Sequence, residues 1–206
     1  MLIFTSGTSG DAKAVRITDV KVSFPGLMLA ERFGLGADDV VYLAMPMFHS
    51  NAIMAGWAAG LAAGATVALE RKFSASGFLP SVRRFGATYA NYVGKPLAYV
   101  LATPEQPDDA DNPLRVMFGN EANEGDIAEF GRRFGCTVVD SYGSTENAVI
   151  VQRQPDMPAG SLGWPVDGVK VLQPDGSETP DAEFDSVGRL TNADAAIGEL
   201  VNTAGA

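Results

Sequence analysis

A chain of 206 residues with 46% hydrophobic and 19% charged side chains carries enough apolar mass to bury a core, which excludes a disordered polymer. Its formal charge of −10, with no local basic patch, repels a phosphate backbone and argues against a nucleic-acid-binding surface. The lone cysteine, Cys136, rules out an intrachain disulfide framework and a multi-cysteine metal site; it fits a reducing, cytoplasmic setting and reads as a small buried hydrophobe.

The chain opens on Met1-Leu2-Ile3-Phe4, too short for the apolar region of a signal peptide and similar to a strand already inside a domain. Thr5-Ser6-Gly7-Thr8-Ser9-Gly10-Asp11-Ala12-Lys13 follows. Glycines let backbone N–H groups turn toward an anion, the hydroxyls add donors and Lys13 adds a mobile cation, so the run has the chemistry of a nucleotide-phosphate cradle. It lacks the P-loop spacing, and the residues alone leave open a plain turn between a strand and a helix.

A strand is expected at Val40-Val41-Tyr42-Leu43, leading into Met45-Pro46-Met47-Phe48-His49-Ser50-Asn51. His49 is the only histidine, so no multi-histidine metal site exists, and no Ser-His-Asp order is evident; a substrate-lining role suits it better than that of a general base. The stretch from Ala52 to Leu69 is nearly free of charge, with Gly56, Gly60 and Gly64 at regular spacing. Gly64 reads as a helix stop before a strand Thr66–Leu69, leaving a helix too short to span a bilayer and rich in residues suited to close packing.

Helices near Gly77–Arg84 and Pro96–Ala102 then alternate with strands at Thr88–Tyr92 and Arg115–Phe118, with a polar loop from Thr103 to Asn112. In Phe118-Gly119-Asn120-Glu121-Ala122-Asn123 the glycine permits close approach of a flat ligand, and the amide and carboxylate can read hydrogen-bonding edges; the same residues also suit a helix start capped by Asn123. A helix Glu124–Phe134 closed by Gly135 and a strand Thr137–Val139 lead to Asp140-Ser141-Tyr142-Gly143-Ser144-Thr145-Glu146. There an aromatic ring can lie against a purine, Thr145 can donate to a phosphate and Glu146 can hold magnesium; an ordinary strand exit is the alternative.

This alternation predicts an α/β fold with a mostly parallel sheet flanked by helices, its ligand loops beyond the carboxyl ends of the strands. After about Gln154 the texture turns to Pro, Gly and Asp with short runs at Val169–Leu172 and Gly198–Val201. Residues 1–154 are therefore expected to be a partial α/β core and 155–206 the truncated start of a β-rich subdomain, the chain as a whole being a fragment.

The opening loop resembles the Thr-Ser-Gly-Thr-Thr-Gly-x-Pro-Lys-Gly signature of adenylate-forming, AMP-binding enzymes, and Tyr142-Gly143-Ser144-Thr145-Glu146 is similar to their Tyr-Gly-x-Thr-Glu signature. Arg71-Lys72-Phe73-Ser74-Ala75-Ser76, Tyr92-Val93-Gly94 with Tyr99, and Gly119-Asn120 resemble the fatty-acid-transport-protein, or very-long-chain acyl-CoA synthetase, branch. The resemblance implies that Thr5, Ser6, Gly7, Thr8, Ser9, Gly10 and Lys13 embrace the β- and γ-phosphates of ATP. It also implies that Tyr142 flanks adenine against a wall of Gly119, Asn120 and Glu121, with Asp140, Ser141 and Gly143 nearby. Thr145 then touches the α-phosphate, Glu146 binds Mg²⁺ and His49 lies near the acyl carboxylate.

The activity so implied is ATP-dependent acid–thiol ligation: a long-chain fatty carboxylate becomes an acyl-adenylate with release of pyrophosphate, and CoA then takes the acyl group as a thioester. Lys13, Thr145, Glu146 and His49 are the catalytic candidates. Two positions depart from the signature, Ala12 and Ala14 standing where the family has Pro and Gly; Ala14 is strained if its place requires a positive φ. The family's ribose-binding aspartate, hinge and C-terminal lysine are not in the sequence, so the chain alone is expected to bind ATP weakly without turnover. Alternatives are a fatty acyl-AMP ligase serving a carrier protein, a non-catalytic nucleotide-binding remnant, and a membrane-interaction element; the apolar substrate makes peripheral membrane association compatible with the absence of a span.

Overall fold

The computed structural model describes residues 1–6, 11–146, 148–154, 157 and 160–204. Strands β1 (Leu2–Ser6) and β2 (Ala12–Arg16) form an antiparallel hairpin in which Thr5 faces Lys13. The opening motif therefore joins two strands of a hairpin and not a strand to a helix. Its tip, Gly7 to Gly10, lies outside the described residues. Ala14 pairs with Phe4 in extended backbone and carries no positive φ, so the strain considered for it does not arise. The hairpin's inner residues Ile3 and Val15 pack with Ile17 on Met54.

Helix α1 (Asp19–Phe33) was not foreseen. Thr18 caps its start by accepting from Lys21 N, Asp19 and Arg32 complement the helix dipole, and Gly34 closes it at φ 58°. Pro25 and Gly26, both poor helix formers, lie inside it, buried. Gly26 is needed for contact: a Cβ there would come within 2.7 Å of the backbone of Ala58.

A seven-stranded sheet follows in the order β4-β3-β5-β6-β7-β8-β9. Its parallel part comprises β3 (Val40–Leu43), β4 (Thr66–Leu69), β5 (Tyr89–Val93), β6 (Val116–Asn120) and β7 (Thr137–Gly143). Two short antiparallel strands, β8 (Ile150–Gln152) and β9 (Trp164–Pro165), extend it beyond β7. The chain runs outward from β3 to β4 and then returns past β3 to β5. That reversal makes the crevice above β3 and β5 the natural ligand position in a sheet of this kind.

Helices α3 (Phe78–Phe85), α4 (Pro96–Leu101) and α5 (Glu124–Phe134) cover one face. Phe78, Val82, Leu97, Phe130 and Phe134 pack there on Tyr42, Ala90, Tyr92 and Met117. The α5 boundaries agree with the sequence reading because both caps are explicit: Asn123 accepts from Asp126 N at 2.9 Å, and Gly135 is left-handed at φ 65°. The polar loop before β6 is pinned by Arg133, which donates to buried Asp109 at 2.6 Å and to the carbonyls of Thr103 and Pro104.

The other face carries α1, a π-helix over Ala52–Trp57 and α2 (Ala58–Ala63) closed by Gly64, so the single small-residue helix expected here changes its winding partway. In the π segment Ala58 N donates to Ile53 O, and the carbonyl of Ala55 accepts from Tyr89 Oη at 2.9 Å. Such widened turns concentrate near functional sites. Beyond β9, β10 (Val169–Leu172) and β11 (Glu199–Asn202) form a separate antiparallel pair, with a four-residue helix α6 (Ala193–Ala196) just before β11.

Candidate functional site

A cavity of about 490 Å³ lies beyond the carboxyl ends of β5, β6 and β7, between the hairpin, α1 and the loop after β3. Thr5 and Lys13 reach it from the hairpin, Lys13 making no ion pair among the described residues. His49, Ser50 and Asn51 reach it from the loop after β3, and Asn120 and Glu121 from the end of β6. Ser141, Tyr142 and Gly143 at the end of β7 and Ser144, Thr145 and Glu146 just beyond it supply a further wall. Of the sequence candidates, Gly119 and Asp140 do not line it, and Gly7, Thr8, Ser9 and Gly10 lie outside the described residues. Ser6 is the last residue of β1, next to that tip.

Gly119 and Asp140 support the wall from behind. Gly119 sits opposite Tyr92 across the β5–β6 pair, where a Cβ would lie 2.2 Å from the Tyr92 carbonyl oxygen. The Asp140 carboxylate accepts from Tyr92 Oη at 2.7 Å and from Ala122 N at 3.0 Å. Burial raises its pKa above the usual carboxylate range, against the lowering by those two bonds, and burial with the facing carboxylate pushes the Tyr92 phenol upward. The bond to Ala122 N fixes the turn after β6, where Glu121 takes φ 69°; it is the one non-glycine residue with a left-handed backbone among those described.

On the opposite side of β5 a line of carboxamides runs into the site. Asn91 Nδ2 donates to Asn51 Oδ1 at 2.6 Å, Asn51 Nδ2 to Asn120 Oδ1 at 3.0 Å, and Asn120 Nδ2 to the Ser141 carbonyl at 2.7 Å and hydroxyl at 2.9 Å. Asn51 N also donates to His49 Nδ1 at 3.3 Å, which leaves Nε2 as the protonated nitrogen of the neutral ring. Ser50 Oγ and Thr145 Oγ1, 3.2 Å apart, join the loops after β3 and β7. The Glu146 carbonyl accepts from Lys21 Nζ at 2.7 Å, so that loop is tied to α1 while the Glu146 side chain stays exposed.

Sequence reasoning missed Asn91 and the apolar wall that α1 contributes through Phe24, Pro25, Met28 and Leu29. A signal for the first was present: a polar residue at the centre of Tyr89-Ala90-Asn91-Tyr92, otherwise a strand of core residues, must find buried partners. The second was hidden because Pro25-Gly26 masked the helix.

Among the described residues no cluster of three or more acidic, histidine or cysteine side chains could cage a metal alone. Glu146 fits the other mode, in which one carboxylate holds a magnesium ion whose remaining ligands are phosphate oxygens and water. The cavity thus offers a cation and hydroxyls for an anion, an aromatic ring and amides for a flat polar group, and apolar side chains of α1 and Met54 for a hydrocarbon.

A parallel α/β sheet with this cleft at its switch point defines an open α/β domain with its ligand position beyond the strand ends. The model of the AMP-binding enzyme family matches residues 1–197, and the chain belongs to that family. It is 58% identical, over its whole length and 38% of the relative's, to the medium/long-chain-fatty-acid–CoA ligase FadD17 of Mycobacterium marinum. It is 41% identical, over 71% of its length and 24% of the relative's, to long-chain fatty acid transport protein 2 of Rattus norvegicus. Among solved structures, o-succinylbenzoate-CoA synthetase of Bacillus subtilis in complex with ATP and a magnesium ion superposes with a TM-score of 0.70 at 27% identity, covering 98% of this chain and 42% of that one. The chain thus spans well under half the length of these relatives.

Proposed function

We propose that this chain carries the ATP- and acid-binding cleft of an AMP-forming acyl-CoA synthetase acting on a long-chain fatty acid. The observation that carries the reading is the convergence of Thr5, Lys13, His49, Tyr142, Thr145 and Glu146 on one cavity that also has an apolar wall from α1 and Met54. A nucleoside triphosphate fits it with the phosphates toward Lys13 and the base toward Tyr142 and Asn120, which leaves the apolar wall for the acid.

A carboxylate is a poor acceptor for a thiol because it is already anionic and lacks a leaving group. In the proposed first step its oxygen attacks the α-phosphorus and pyrophosphate departs; in the second, the CoA thiol displaces AMP and forms the thioester. The chain's part is to position and neutralise: Lys13 and Thr5 hold the leaving phosphates, Thr145 donates to the α-phosphate and His49 orients the acid. Glu146 would hold a magnesium ion, which would supply further neutralisation of the phosphate charge.

Titration calorimetry of the 206-residue chain with MgATP is expected to show weak uptake that Lys13→Ala reduces by about tenfold, in keeping with the loss of one charged contact. Equal affinity in the two proteins rejects the reading. No helix among the described residues is long and apolar enough to cross a membrane. Peripheral contact with lipid is part of the proposal, supported by the exposed Phe4 and Phe48 beside Met47 on one groove; co-sedimentation with vesicles tests it.

A further inference from the structure

The carboxamide line has a polarity that is dictated from one end. The Ser141 carbonyl can only accept, so Asn120 must turn its Nδ2 to it and its Oδ1 away. Asn51 must then present Nδ2 to that oxygen and keep Oδ1 for Asn91, whose Nδ2 it receives. Asn91 Oδ1 is left at the far end, buried without a hydrogen-bond partner. It lies beside Gly56 of the π-helix, where a Cβ would come within 3.0 Å of it. An unpaired buried carbonyl is destabilising, and its presence under a fully apolar segment calls for a reason.

We infer that Asn91 is a positioning residue, outside the cavity itself, that by donating to Asn51 holds Asn51 Nδ2 toward Asn120, reinforcing the orientation that Ser141 sets and so tying the ends of β6 and β7 at the nucleotide wall. This rests on the nucleotide-site reading above. Asn120 pairs with Ser141 in the β6–β7 register, and Tyr142 follows directly, so the turn of one amide sets where the aromatic wall begins. The orphaned oxygen marks the end of a relay whose other end must be ordered. Tyr89 Oη on the Ala55 carbonyl performs the parallel service for the π-helix from the same strand face.

Two substitutions separate this role from simple packing. Asn91→Leu keeps the branched shape, with bulkier methyl groups, and removes the donor, freeing Asn51. Asn91→Asp is nearly isosteric, but its carboxylate can only accept, so with an acceptor at each end of the line two oxygens must face each other at Asn51, Asn120 or Ser141. In the 206-residue chain the Asn120 side-chain amide protons are expected to be protected from hydrogen exchange and to exchange about tenfold faster in both variants. MgATP affinity is expected to fall by about tenfold in Asn91→Asp and less in Asn91→Leu.

Melting curves record any loss of fold. Should both variants fail to fold, exchange in the wild type decides, because unprotected Asn120 protons there overturn the relay. Unchanged Asn120 exchange in the folded variants, or undiminished MgATP affinity in Asn91→Asp, also overturns the inference. A wild-type chain that takes up no MgATP rejects the nucleotide reading instead, and the amide exchange still decides the relay.

Discussion

The two faces of the central sheet are built on different principles. Under α3, α4 and α5 the contacts are large rings: Phe78 meets Phe130 edge-on at 5.7 Å, and Phe130 meets Phe134 at 4.5 Å. Under α1, the π-helix and α2 one ring, Phe33, meets Tyr89 and Phe118, but the helices come close through small residues, with Gly26 against Ala58, Gly56 against Leu43 and Gly60 against Val67. The carboxamide line threads that same layer. The first face gains stability from buried volume; the second gives up volume so that backbone and amides approach closely enough to shape a cavity.

Breaking the first face should cost the most. Phe130, fully buried, leaves a large void as Phe130→Ala, and about 3–5 kcal/mol of stability is expected to be lost. Urea unfolding checks the loss, and nucleotide affinity of the molecules that remain folded should be unchanged. A change in affinity larger than the change in stability would show that the two faces are not separate in function.

The second face should respond in the opposite proportion. Gly26→Ala places a methyl group 2.7 Å from the Ala58 backbone and forces α1 and α2 apart. Overpacking of this kind costs about 1–3 kcal/mol, partly offset by about 1 kcal/mol of helix propensity gained over glycine. Because Pro25, Met28 and Leu29 of α1 line the cavity, binding is expected to suffer more than stability. Calorimetry beside a melting curve tells the two apart.

How much of this was legible in the sequence follows the same division. The aromatic face announced itself: α5 carries explicit caps at Asn123 and Gly135, and the strands alternating with it are apolar runs bounded by turn residues. The glycine face was partly opaque, because Pro25-Gly26 is a breaker by propensity but a contact surface in the folded chain, and because π winding has no local signature. Site residues with their own chemistry, Lys13, His49, Tyr142 and Glu146, could be named in advance and do reach one cavity. Asn91 could not, since its partners Asn51 and Asn120 are distant in sequence and only the strand order brings them together.

The smallest effect is expected at the rim, where both faces meet the loops. Glu121 holds φ 69° just after β6, a conformation costing a non-glycine residue about 1–2 kcal/mol, and Asp140 on Ala122 N keeps the turn in place. Glu121→Gly removes that strain but gives the unfolded chain more freedom, worth about 0.5–1 kcal/mol the other way, so a net gain within about 1 kcal/mol is expected. Glu121→Val, β-branched at the same angle, should lose stability. The order Gly above Glu above Val in melting temperature is the signature of a left-handed position held by its neighbours; a reversed order would mean that the Glu121 side chain, and not the turn, is what the fold requires there.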